Sequence, residues 1–235
     1  MNQILLTHSD LTGEKIARLT GRRLEHLNEV LKAAHGETLR AGLLGGLRGT
    51  ALVRAIDEQE AVLELSLTDD PPPALPLTLV AAVQRPKTTK RILQYAASAG
   101  IKTVYLVRTW RVDKSYLDSP VLTGDGIREN LMLGLEQGRD TILPDVIIRE
   151  RFKPFVEDEL ADMVPGTTAL IAHPAAKEEC PRGISGPSIL AIGPEGGFIQ
   201  YEVDLLASRG FLPVTIGERP LRTEYALPAL VGRLY

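Results

Sequence analysis

The stretch Asp69 to Pro76, "DDPPPALP", places four prolines within six residues. Proline fixes φ and has no backbone N–H, so such a run continues neither a helix nor a strand ladder. It reads as a stiff, extended spacer. The hydrophobic rhythm differs on its two sides. Before it, Glu37 to Arg40 and Gly49 to Ile56 read as short strands separated by the glycine-punctuated "AGLLGGL". Ala61 to Leu67 alternates apolar and polar residues at period two, as a half-buried strand does. One helix-like piece, "RRLEHLNEVLKAAHG", puts Leu24, Leu27, Val30 and Leu31 on one face, with Gly36 as a stop. Several short strands and one small helix predict a small β-barrel or sandwich over residues 1–70.

Beyond the spacer, residues 71–76, strands and helices alternate. "LTLVAAVQ" is followed by the helix "TTKRILQYAASAG", with Ile92, Leu93, Ala96 and Ala99 inward. Then come "KTVYLVR", a helix from about Gly126 to Gly138, "PDVIIRE", and a helix near Phe152 to Met163. The strands "TTALIAH", "SILAIG" and "FLPVTIG" follow, with a helix from about Tyr201 and a last helix to Tyr235. This alternation predicts a parallel α/β sheet over residues 77–235. Ligands of such sheets bind at the C-terminal ends of the strands. Three predicted strand ends carry unusual residues: His173-Pro174, Gly193-Pro194-Glu195-Gly196-Gly197, and Gly217 to Glu224.

Hydrophobic residues at 44% and charged residues at 24% are those of an ordinary soluble globular protein. No apolar run approaches the roughly 20 residues of a membrane helix, and the N-terminus shows no secretory signal, so a cytoplasmic location is expected. The single cysteine, Cys180, gives no disulfide framework and no CxxC pair; no metal is expected, and the thiol reads as incidental. The net charge of -3 hides a basic segment. From Gln84 to Leu117, eight cations (Arg85, Lys87, Lys90, Arg91, Lys102, Arg108, Arg111 and Lys114) face one acid, Asp113. That segment is either a solvated face or a phosphate-binding patch.

"AIGPEGGF", Ala191 to Phe198, is too punctuated for an ordinary surface turn. It lacks the GxGxxG and GxxxxGK[ST] spacings, and Glu195 would repel a phosphate. A neutral or cationic ligand gripped by backbone fits better; a tight strand-to-helix turn is the plainer alternative.

"IGPEGGF", followed about 20 residues later by "IGERPLRTEYA", closely resembles the paired motifs of the RsmE family, the 16S ribosomal RNA uracil-N3 methyltransferases of the SPOUT class. "HLNEVLKAAHGETL" is similar to that family's PUA-like N-terminal domain, "KTTKRILQYAASAGI" to its first SPOUT helix, and "LEQGRDTILPDV" to a further family segment. The resemblance implies an α/β fold with a PUA-like β-barrel at 1–70, a proline-rich linker at 71–76 and a SPOUT domain with a trefoil knot at 77–235. It implies S-adenosylmethionine as cofactor, a homodimer, and 16S ribosomal RNA or the small subunit as partner.

The implied cofactor residues are Leu170, His173, Ile192, Gly193, Glu195, Gly196, Gly197, Ile216, Gly217, Leu221 and Thr223. The implied catalytic residues are Arg222, to stabilise a uracil anion, with Glu195 or Glu224 to take the N3 proton or orient Arg222. The plainer alternatives are an Arg222–Glu224 ion pair, a Thr223 N-cap and a structural His173. Arg85, Lys87, Lys90, Arg91, Arg111, Lys114 and Arg139 are the implied RNA contacts. Tyr95 and Ser98 stand where the family commonly has lysine and glutamate, Tyr225 replaces the second threonine of "RTETA", and "MNQILL" lacks the usual arginine. Three rival readings are a SPOUT methyltransferase with another RNA target, an RNA-binding ribosome-assembly factor without catalysis, and a nucleotide-binding α/β enzyme. The missing phosphate fingerprints disfavour the last.

Overall fold

A computed structural model describes residues 2–235. The chain forms two compact units. One runs up to Pro73 and takes in Met132–Leu143; the other comprises Ala74–Leu131 and Pro144–Tyr235.

The first unit holds β1 (Ile4–Leu6), β2 (Leu11–Gly13), β3 (Ile16–Leu19), β4 (Thr38–Leu43), β5 (Arg48–Ile56) and β6 (Ala61–Asp69). They make one sheet in the order β1-β4-β5-β6-β3-β2, antiparallel except for the β1–β4 pair. Period-two alternation sends Ala51, Val53, Ala61, Leu63 and Leu65 into one core with Leu24 and Leu27. Helix α1 (Gly21–Glu25) runs into a π-helical turn, His26–Leu31, and ends at Lys32 in the left-handed region. The expected apolar face is therefore only half realised. The wider turn moves Val30 off the stripe, and Val30 and Leu31 are 63% and 40% exposed. Lys32, not Gly36, stops the helix.

Two ion pairs with largely buried carboxylates brace this unit. Arg23 grips Asp10 with both guanidinium nitrogens at 2.6 Å, and the Thr7 N–H adds a bond of 2.7 Å. Burial alone would raise the Asp10 pKa, but these bonds outweigh it and hold the carboxyl below its ordinary range. Arg22 meets Glu136 at 2.7 and 3.1 Å, and the Glu136 side chain is almost fully buried. Glu136 lies on the returning segment, which further bonds link to this unit through Asn2 and Gly45.

The second unit holds β7 (Leu75–Ala82), β8 (Ile101–Val107), β9 (Asp145–Arg149), β10 (Thr168–Ala172), β11 (Glu178–Glu179), β12 (Ser188–Ile192) and β13 (Leu212–Thr215). The order is β11-β13-β10-β12-β7-β8-β9, and every pair is parallel. Parallel strands are covered on both faces, which is why "SILAI" is apolar and buried throughout β12. The helices are α2 (Pro86–Ser98), α3 (Gly124–Gly138, which passes into the first unit at Met132), α4 (Phe152–Pro154), α5 (Ala161–Met163), α6 (Gln200–Ser208) and α7 (Thr223–Leu234). A π-helical turn, Phe155–Leu160, joins α4 to α5 and buries Phe155, Val156 and Leu160.

Two expectations shift locally. Pro76 lies inside β7, where the pairing with β8 is irregular between Leu75 and Thr78, so no ladder N–H is demanded of it. The strand-free spacer shrinks to residues 70–74. In α2 it is Ala97, not Ala99, that joins the buried face. β7, β8 and β9 proceed to one edge; β12 then inserts between β7 and β10. The strand order reverses there, which opens a crevice at the carboxyl ends.

Candidate active site

Three loops leave the carboxyl ends of β10, β12 and β13 and meet in one cleft of about 630 Å³. His173 and Pro174 come from the first loop, Gly193 to Gly197 from the second, and Thr215 to Glu224 from the third. Arg85 and Thr88, at the start of α2, and Ala226 and Leu230, on α7, complete the wall.

The glycines of the second loop have separate causes. A Cβ on Gly193 would sit 2.8 Å from the Phe198 nitrogen and 3.2 Å from Gly197, so the loop folds back on itself only without that side chain. Gly197 takes φ of 71° and donates its N–H to the Pro194 carbonyl at 2.7 Å. A Cβ on Gly196 would press on Arg111, whose guanidinium donates to the Gly196 carbonyl. Gln84 supports the same loop. Its amide nitrogen donates to the Gly193 and Ala82 carbonyls at 2.9 Å each, and its buried oxygen has no partner among the described residues.

The charged groups divide into engaged and free. Glu195 accepts the Arg85 N–H at 3.1 Å, placing a carboxylate at the N-terminus of α2. Glu224 is paired, but with Arg91 at 3.0 Å and not with Arg222. Arg222 is the extended residue ahead of α7, outside the helix that carries Glu224. It makes no side-chain hydrogen bond or ion pair among the described residues, and it lines the cleft. Thr223 is the buried first residue of α7, not its N-cap. His173 is partly structural: its Nδ1 accepts the Ala175 N–H at 3.3 Å.

The cleft thus gathers His173, Ile192, Gly193, Glu195, Gly196, Gly197, Ile216, Gly217, Leu221, Arg222, Thr223 and Glu224. Leu170 is not among them; it lies buried in the middle of β10, paired with Leu190 and Leu212. Of the basic residues, Arg85 lines the cleft, Lys87 and Lys90 are exposed on α2, and Lys114 is exposed beyond β8. Arg91 is committed to Glu224, and Arg139 lies in the other unit with φ of 56°. Sequence reasoning missed Gln84 and Glu202. The first shows only as a polar residue closing a buried strand; the second as a glutamate at the third position of a helix.

Residues 71–235 match the RNA methyltransferase domain family, so the second unit and its cleft fall in that class. The ribosomal RNA small subunit methyltransferase E of Treponema pallidum is 30% identical over 232 residues, covering 96% of this chain and 87% of that protein. On that similarity the chain belongs to the ribosomal RNA small subunit methyltransferase E family. The methyltransferase E 1 of Borreliella burgdorferi is 26% identical over 230 residues, covering 96% of this chain and 94% of that one. A crystal structure of the Neisseria gonorrhoeae methyltransferase E, bound to S-adenosyl methionine, has a TM-score of 0.70 at 23% identity, covering 98% of this chain and 96% of that one; it establishes a shared fold.

Proposed function

We propose that this chain is an S-adenosylmethionine-dependent methyltransferase that modifies N3 of one uridine in the 16S ribosomal RNA of the small subunit, in the cytoplasm. Family membership supplies the reaction class. The observation that carries the reading to residues is the cleft, with its glycine loop on one side and a free arginine on the other. In this proposal the first unit is a PUA-like barrel that docks RNA, the prolines after Asp70 are its linker, and the second unit is a SPOUT domain with a trefoil knot that works as a homodimer.

The cleft suits the cofactor on three grounds. Its volume is that of a pocket for a nucleoside-sized ligand. Its walls are largely backbone and small side chains, which favour close approach. Its wall carries both signs, Glu195 and Glu224 beside Arg85, Arg219 and Arg222, which suits a ligand that carries a sulfonium, an ammonium and a carboxylate. When bound, S-adenosylmethionine supplies an electrophilic methyl group. Gly193 to Gly197, with Ile216, Gly217 and Leu221, would hold it from two faces and exclude water.

Uracil N3 carries a proton and lies on the Watson–Crick edge, so the base must be unpaired or flipped into the cleft. The unpartnered Arg222 would stabilise the charge that develops on the ring oxygens as that proton leaves. Glu195 or Glu224 accepts the proton. Calorimetry with S-adenosylmethionine tests the cofactor. Mass spectrometry of 16S RNA from a deletion strain, with and without the gene restored, tests the product. A cofactor bound without any methyl lost from 16S RNA would assign a different RNA target, and no cofactor binding would overturn the reading.

A further inference from the structure

Trp110 is the chain's single tryptophan, and it is 80% exposed. A lone exposed apolar residue is ordinary; this one stands out by how firmly it is held. The backbone beneath it is not loose. Its N–H donates to Glu202 Oε1 at 2.7 Å, and the other oxygen of that carboxylate accepts the Ile199 N–H at 2.9 Å. Glu202 is 3% exposed. Thr109 and Val112, on either side, are buried. The next residue, Arg111, donates to the Gly196 carbonyl on the rim of the cleft. A buried carboxylate and two buried neighbours therefore hold the indole outward, one residue from a group that touches the cleft loop.

Along the chain beside it, cations predominate. Arg108, Arg111 and Lys114 lie within four residues of it, and the one acid of that stretch, Asp113, accepts the Ser115 N–H and hydroxyl at 2.9 and 2.8 Å. A flat aromatic among cations is the surface that single-stranded nucleic acid uses, bases stacking while phosphates are neutralised. We propose that Trp110 is a stacking platform for an unpaired base next to the base that enters the cleft. The inference rests on the RNA methyltransferase reading above. Presenting N3 leaves the adjoining nucleotide without its stacking partner, and Trp110 supplies a substitute face. A second copy docking this loop on itself would set Arg111 and Lys114 against their own kind, so RNA is the occupant that the charges favour.

One tryptophan makes the native chain its own probe. The full chain is titrated with a short uridine-containing single-stranded RNA and with the same sequence as a duplex. Indole emission is followed, and affinity is read independently from the anisotropy of labelled RNA. We expect quenching by the single strand and little by the duplex. Trp110→Ala should weaken single-strand binding roughly 5- to 150-fold, the range of one lost stack. Trp110→Phe should retain most of the affinity, S-adenosylmethionine affinity should not change, and the salt slope should stay, because no phosphate neutralisation is removed. Native-like RNA binding by Trp110→Ala, or binding without any emission change, overturns the platform and leaves the enzyme reading standing. Reduced self-association with unchanged RNA affinity assigns the indole to a second copy and overturns it equally. If the native chain binds neither RNA, both the platform and the reading beneath it fall.

Discussion

Arg91, on α2, reaches Glu224, on α7, at 3.0 Å, and leaves Arg222 two residues away with no side-chain partner among the described residues. The Glu224 side chain is 8% exposed, that of Arg91 47%. The pair therefore fastens two helices that border the cleft and settles which arginine is committed and which is available. Arg91 neutralises a nearly buried carboxylate; the donors of Arg222 stay unengaged among the described residues.

Arg91→Ala should consequently act on stability more than on RNA. It leaves Glu224 uncompensated, at a cost of about 1–2 kcal/mol once the exposure of the arginine is discounted. Thermal melts and RNA binding at several salt concentrations read the two effects separately. Arg85, Lys87 and Lys90 carry no competing ion pair among the described residues, so replacing them should lower the salt slope by about 0.7–0.9 for each phosphate that is no longer neutralised. A native melting temperature combined with a reduced slope in Arg91→Ala would show that Arg91 serves RNA after all.

The glycine loop predicts a graded pair of variants. At Gly193 even alanine collides with backbone, 2.8 Å from the Phe198 nitrogen, and backbone has nowhere to go. Gly193→Ala should weaken S-adenosylmethionine binding tenfold or more, about 1.4 kcal/mol, and lower the melting temperature. At Gly196 the added carbon meets the Arg111 side chain at 3.0 Å, a flexible group that yields at the cost of its bond to the Gly196 carbonyl. Gly196→Val should therefore cost cofactor affinity with little loss of stability. Equal, native-like affinities in both, by calorimetry, would remove this loop from the site.

How much of this is legible in the sequence follows the range of each interaction. β5 and β6 show because alternation is local, and the buried strand "SILAI" because a parallel strand is apolar throughout. The glycine loop shows because tight backbone excludes side chains locally. The insertion of β12 between β7 and β10 leaves no local mark, nor does the return of Met132–Leu143 to the first unit. The π-helical turn after Glu25 defeats a phase count at 3.6 residues per turn, which is why Val30 leaves the face expected of it. The Arg91–Glu224 pair spans 133 positions, and an arginine two residues from a glutamate makes the wrong pairing look natural.

Acid should weaken the first unit through Asp10. Its folded pKa is held below the unfolded value by Arg23 and Thr7, so the unfolded chain takes up the proton first as pH falls. The stability this group contributes is complete above the ordinary aspartate range near 3.8 and is lost as pH drops through the lower folded value. Urea midpoints at neutral pH and near the bottom of that window should differ more in the native chain than in Asp10→Asn. Equal acid sensitivity in both would place the titration elsewhere.

Arg222→Lys is the sharpest test of the proposed chemistry. The substitution keeps the charge and removes the planar fork of donors. Because Arg222 holds no ion pair among the described residues, nothing structural is released, and the melting temperature should barely move. If the guanidinium meets the uracil oxygens as the proton leaves, single-turnover methylation should fall by roughly 10² or more, the scale of one lost oxyanion-type donor. Cofactor affinity should change little, since the interaction belongs to the transition state. Glu224→Gln supplies the contrast. It disturbs the pair with Arg91 and should lower the melting temperature whether or not Glu224 takes the proton. Near-native turnover in Arg222→Lys would take Arg222 out of the chemistry, and charge stabilisation would pass to Arg85, another arginine of the cleft wall, at the start of α2.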